Sequence, residues 1–118
     1  MGVRERHESP IELSYRISTA GHAVVTIRGE LDLATAERAF RYVGDVIDHH
    51  EGPVSVDLGG LAFCDVSGLN ALIGMASRAE RAGSRLWLTS PSRSLTKLMR
   101  ITGADLRFAQ PRQPAVLR

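Results

Sequence analysis

Hydrophobic and polar positions alternate from the eleventh residue onward. Ile11, Leu13, Tyr15 and Ile17 interleave with Glu12, Ser14, Arg16 and Ser18. A period of two predicts a half-buried strand with one wet face. Thr19-Ala20-Gly21-His22 reads as a turn, and the β-branched, apolar run from Ala23 to Arg28 predicts a second strand, forming a hairpin with the first. The period then changes. Leu33, Ala36, Phe40, Val43 and Ile47 recur at helical spacing, so they define one apolar helix face. Asp32 is the expected N-cap of that helix, which ends near His50, before Gly52-Pro53.

Val54, Val56 and Leu58 predict a third strand, and Gly59-Gly60 a turn. Leu61-Ala62-Phe63-Cys64 then runs into a second helix over about 68–82, with Leu69, Leu72, Ile73, Ala76 and Ala79 inward and Gly83 as its stop. Residues 85–89 read as a fourth strand. Ser90-Pro91 reads as an N-cap followed by a proline at the first helical position. Leu95, Leu98, Met99 and Thr102 define a third helix ended by Gly103, and Leu106-Arg107-Phe108 a short last strand. The order is ββαβαβαβ. It predicts an α/β domain over 11–109: a mixed sheet with an opening antiparallel hairpin followed by right-handed βα units. The polar stretches 1–10 and 110–118 are expected to be flexible ends.

In this order, the starts of all three helices fall at the carboxyl end of the sheet, where α/β proteins place their sites. Asp32, Ser67 and Ser90 are therefore expected to share one rim. The densest chemistry lies in Phe63-Cys64-Asp65-Val66-Ser67-Gly68-Leu69-Asn70. A hydroxyl stands at a helix start, where free backbone N–H groups favour an oxyanion. Such a serine can carry a phosphate without breaking the fold. It can equally be a plain capping residue, and on residue chemistry alone both readings stand. Asp65 is a second candidate for the cap, bonding the N–H of Ser67 or Gly68. Gly68 reads as a backbone requirement or as room for an approaching enzyme.

Composition narrows the field. The chain has 118 residues, one domain's worth, with 43% hydrophobic and 24% charged residues, as ordinary globular proteins have. Net charge is +2, and the cations are dispersed among acids, which argues against a nucleic-acid surface. Cys64 is the only cysteine, so no internal disulfide is available. The sequence has no signal-peptide pattern and no membrane-length apolar run, and a cytoplasmic location is the default expectation. His49 and His50 suit a helix end rather than one metal ion. Metal and cofactor sites are expected to be absent. There is no phosphate-binding loop and no nucleophile elbow around Ser67, so catalysis is not expected.

Taken together, Gly29-Glu30-Leu31-Asp32, Val56-Asp57-Leu58, Asp65-Val66-Ser67-Gly68, Ser90-Pro91-Ser92 and Ile101-Thr102-Gly103 resemble the STAS domain family, and within it the bacterial anti-sigma factor antagonists. The resemblance spans about residues 11–109. It implies the STAS fold and a binding module rather than an enzyme. It implies that a partner anti-sigma factor, itself a serine kinase with a GHKL-type ATP fold, phosphorylates Ser67. The unphosphorylated form then binds the anti-sigma factor and releases sigma, and a PP2C-type phosphatase reverses the mark. By the same resemblance Glu30, Asp32, Asp65, Gly68 and Asn70 are expected partner contacts. Val66 stands where the family often has a serine, and Cys64 where many members have methionine. The free protein is expected to be a monomer without direct contact to nucleic acid or membrane. The alternative use of the same fold is a STAS subunit docked constitutively in a lipid-transport or stress-signalling complex.

Overall fold

A computed structural model describes residues 11–109; the two expected flexible ends lie outside the described residues. Strand β1 (Ile11–Ile17) pairs antiparallel with β2 (Ala23–Leu31), which leads to α1 (Ala36–His49). Then come β3 (Val54–Asp57), β4 (Leu61–Cys64), α2 (Val66–Arg81), β5 (Leu86–Thr89) and α3 (Arg93–Thr102). A 3-10 turn, Ala104–Arg107, follows α3. The sheet order is β1-β2-β3-β5, with β4 also paired to β2. The sheet is mixed: β1 runs antiparallel, and the other pairs are parallel.

The long β2 organises the sheet. Its first half, Ala23–Thr26, pairs with β3, and its last part, Gly29–Leu31, pairs with β4 along the same edge. Sequence periodicity ends this strand at Arg28 and leaves 61–64 as a connection. The structure corrects both expectations. Gly29 has φ +104, a conformation that only glycine adopts easily, and the register shifts at that point. The extra residue at the shift is Ala62 on β4, and β2 continues to Leu31 as the partner of that strand.

Ala23, Val25, Ile27 and Leu31 are buried under the helices, while Val24, Thr26 and Glu30 on the other face are half-buried and Arg28 is exposed. On the covering helices, Val43, Ile47, Leu72, Met75 and Ala79 close the core. Met75 fills the centre of it, fully buried, although the periodicity had singled out Ile73, which is only half-buried. An Arg78–Asp48 ion pair ties α2 to α1 across the outside, with the Arg78 guanidinium over the Phe40 ring.

Two other expectations fail locally. Leu33, placed by its spacing on the inner face of α1, is 79% exposed and precedes the helix. Leu106–Phe108 is not a strand. Gly103 turns the chain into the 3-10 helix, and only Ala109 N–H reaches the sheet, donating to Leu86 C=O at 3.0 Å.

Candidate functional site

The rim at the carboxyl end of the sheet is built where β2 and β4 finish together. Leu31 pairs with Cys64, and Asp65 N–H donates to the Leu31 carbonyl at 3.3 Å. Helix α2 starts immediately afterwards. Asp65 is its N-cap, in extended conformation, with Oδ1 accepting from Gly68 N–H at 2.9 Å. The Asp65 carbonyl accepts the first helical bond, from Leu69 N–H. Ser67 therefore lies inside the first turn, half-buried, and its hydroxyl makes no hydrogen bond among the described residues. Nor do the N–H groups of Val66 and Ser67 meet a protein acceptor among these residues. One turn thus presents a free hydroxyl and two free donors at the positive end of a helix dipole, suited to an oxyanion.

Gly68 is buried. A Cβ there would lie 2.3 Å from the Leu31 carbonyl oxygen and 2.8 Å from Cys64 Sγ. Of its two sequence readings, the geometry supplies the backbone one: α2 starts against the end of β2, with no room for a side chain.

Asp32 directly follows β2. The N-cap position of α1 is Thr35, not Asp32, and no side chain caps that helix. Asp32 closes the turn before it. Its Oδ1 accepts from Ala34 N–H at 3.0 Å and Thr35 N–H at 3.2 Å, while Thr35 Oγ1 accepts from Asp32 N–H at 2.9 Å. These reciprocal side-chain–backbone bonds lock the turn ahead of the helix, with threonine as the returning partner. Thr35 is fully buried and also donates to the Glu30 carbonyl at 2.8 Å. Sequence reasoning missed Thr35, although the Asp-x-x-Thr spacing carried the signal.

Asp32 and Ser67 thus flank the Leu31–Asp65 junction, one residue after Leu31 and two after Asp65. Glu30 pairs with Phe63 on the same rim, and Asn70 is exposed on α2. Ser90 is placed differently. Its Cβ lies 3.5 Å from where a Cβ of Gly59 would stand, on the β3–β4 connection, and Ser92 caps α3 through Leu95 N–H. Ser90 itself has φ 55 and is not a cap.

Three large apolar side chains surround the junction in the open: Leu33 at 79%, Val66 at 60% and Phe63 at 51% exposure. Beyond Phe63, a cleft between β4 and the start of α3 is lined by Leu61, Cys64, Leu95 and Leu98. Burial, with a smaller contribution from the Asp65 charge, pushes the Cys64 thiol up to about 11. That shift favours the neutral thiol. No group of three or more His, Cys, Asp or Glu suited to a metal occurs among the described residues. No described helix is long and apolar enough to cross a membrane.

The family model described as the Mlab STAS domain matches residues 16–109. The chain belongs to the STAS domain family. Among solved structures, this STAS domain is similar to an anti-sigma factor antagonist from Mycobacterium paratuberculosis, with 24% identity and a TM-score of 0.67 over 90% of this chain and 87% of that one. It is similar to the Bacillus cell fate determinant SpoIIAA in its phosphorylated form, with 20% identity and a TM-score of 0.64 over 86% and 93% of the two chains. The unphosphorylated form of SpoIIAA, an anti-sigma factor antagonist, matches with 22% identity and a TM-score of 0.62 over 76% and 83%. No curated protein matches the sequence significantly. At these identities the solved structures establish the fold.

Proposed function

We propose that this STAS domain is an anti-sigma factor antagonist switched by phosphorylation of Ser67. The observation that carries the reading is the first turn of α2: an unbonded hydroxyl beside free N–H donors, ringed by exposed Leu33, Phe63 and Val66. Apolar side chains held in the open around a modifiable group make a docking surface with a built-in switch. The similar Bacillus protein has a phosphorylated form, and the similar Mycobacterium protein is named an antagonist.

In this reading the unphosphorylated rim docks a cytoplasmic anti-sigma factor with GHKL-type serine kinase activity, and sigma is released. Glu30, Asp32, Asp65 and Asn70 supply polar contacts around the apolar centre, and the three carboxylates favour a basic partner surface. Gly68 contributes by letting α2 start where it does. Phosphate adds about −1.5 to −2 charges at pH 7 to a rim already holding these carboxylates. The helix start tolerates that charge, so the fold persists, while the partner must desolvate it against repulsion. A PP2C-type phosphatase resets the surface. The domain performs no catalysis itself.

Incubation with ATP and the cognate anti-sigma kinase is expected to add one phosphate, mapped to Ser67 by mass spectrometry. S67A should bind the anti-sigma factor and resist switching; S67D should bind weakly while melting close to wild type. Equal affinity of the two variants, where wild type binds, refutes the electrostatic switch. The second reading, permanent docking in a larger assembly, draws on the Mlab description of the matching family model. A complex with an ATPase or scaffold that persists whatever the state of Ser67 would favour it.

A further inference from the structure

The outer edge of β1 is the least explained surface of the fold. Backbone polarity alternates along a strand, so the direction of each N–H follows from its neighbours. Ala23 N–H donates to Pro53 C=O and Gly29 N–H to Gly60 C=O, so the odd residues of β2 face β3 and β4. Its even residues therefore face β1. Through the register Arg16↔Val24, Ser14↔Thr26 and Glu12↔Arg28, the even residues of β1 face β2. Ile11, Leu13, Tyr15 and Ile17 then turn their N–H and C=O groups outward. Among the described residues only one of these groups is met: Ile11 C=O accepts from Arg38 Nη2 at 2.9 Å. The opposite edge, on β5, is touched by Ala109.

This edge is long, regular and apolar on one face. Its side chains on the helix face include Tyr15, 53% exposed, and Ile17, 50% exposed, beside a groove lined by Tyr42, Val46 and His49. A seven-residue edge strand without a bulge, carrying exposed apolar side chains, is a template for another strand.

We propose that the occupant is a second copy of this chain, paired antiparallel through β1 about a twofold axis at Ser14. Self-complementarity argues for it. In that register Glu12 stands opposite the second copy's Arg16, and Arg16 opposite its Glu12, so two opposite-charge pairs form on the open face. On the helix face Leu13 meets Tyr15, and Ile11 meets Ile17, so each exposed apolar side chain lands beside a more buried one. Leu13 and Tyr15 both point their backbone groups outward, as a hydrogen-bonded pair requires. Because β1 and α1 run the same way, the Arg38 end of one copy faces the Asp45 end of the other. The registers centred on Leu13 or Tyr15 shorten the ladder and set the charges opposite Ser14. Pairing centred on Ser14 uses all seven residues and matches both charges. It is an isologous interface that closes, and it replaces the sequence expectation of a monomer. It is independent of the role of Ser67.

Charge reversal tests the register. Sedimentation velocity over a concentration series should show a reversible monomer–dimer equilibrium for the wild type. E12R sets like charges opposite Arg16, and R16E sets like charges opposite Glu12. Each should weaken self-association roughly tenfold, with circular dichroism and melting reporting a retained fold. An equimolar mixture of E12R and R16E should regain the dimer, because both cross-strand pairs are again of opposite sign. The double variant E12R/R16E should associate as wild type does, although it lacks the internal Glu12–Arg28 contact. A wild type that stays monomeric up to its solubility limit overturns the proposal. So does a dimer indifferent to both single variants, or a mixture that does not associate.

Discussion

Replacing Gly68 by alanine measures how tightly the first turn of α2 is seated on the sheet. The added Cβ would stand 2.3 Å from the Leu31 carbonyl oxygen, 2.8 Å from Cys64 Sγ and 3.0 Å from the Leu31 carbonyl carbon. Comfortable contacts lie near 3.5 Å, so the first turn of α2 must retreat by roughly 1 Å. That retreat strains the Asp65 N–H bond to Leu31, already 3.3 Å long, and the cap bond from Asp65 to Gly68. Overpacking of this kind costs about 1–3 kcal/mol, and a weakened cap about 0.5–2 kcal/mol. The better helix propensity of alanine returns about 1 kcal/mol. The net loss is about 0.5–4 kcal/mol, and at about 4 °C per kcal/mol the melting temperature should fall by roughly 2–16 °C. Differential scanning calorimetry reads it, and S67A serves as the comparator, since it changes the same turn without adding bulk. A G68A protein that melts at or above the wild-type temperature would falsify the close-approach argument, because the turn would then move at no cost.

Asp65→Ala removes the only side-chain cap of α2 and should cost about 0.5–2 kcal/mol in denaturant unfolding, whereas Asp65→Asn should stay within a few tenths of wild type. Asp32→Asn keeps an acceptor for Ala34 and Thr35, so it should melt normally yet bind the anti-sigma factor more weakly or be phosphorylated more slowly; unchanged affinity and rate would reduce Asp32 to a turn residue. Cys64 titrates from 9.0 up to about 11 in the fold, so the fold favours the neutral thiol. That stability is complete below pH 9 and is lost as pH rises towards 11. The wild-type minus C64A difference in unfolding midpoint should shrink over that window, and a flat difference curve would argue against burial of the thiol.

Periodicity located β1, α1, β3, α2, β5 and α3 because each shows an apolar face that the core accepts. It failed where packing departs from a simple period. Gly29 reads as a strand end, yet at positive φ it stays inside β2, and the extra residue at the register shift is Ala62 on β4. Leu61–Cys64 shows no clean alternation because β4 has one strand neighbour and leaves Ala62 and Phe63 in the open. Leu33 and Leu106 fit a helix spacing and a strand spacing respectively, but both point to solvent. At the site, Asp65 was legible as a cap because a short acid before a helix has few other uses. Thr35 was not, since its importance lies in a burial and a reciprocal bond that spacing only hints at. The outward edge of β1 was invisible, because strand order decides which edges stay unpaired.

The sharing of one β2 edge by β3 and β4 has a consequence for amide exchange. Val25 and Val56 lie between strands on both sides, so their amides should exchange only through global unfolding. Strand β4 is held by three pairs interrupted by a bulge at Ala62, and its outer side borders the cleft towards α3. Its amides, with those of the first turn of α2, belong to the low-energy end of local opening. An enzyme that must draw Ser67 out of its turn can therefore act on a brief local excursion while the rest of the sheet stays closed. The rate of modification should then follow the local opening of this segment, and core substitutions that lower the melting temperature should leave it unchanged.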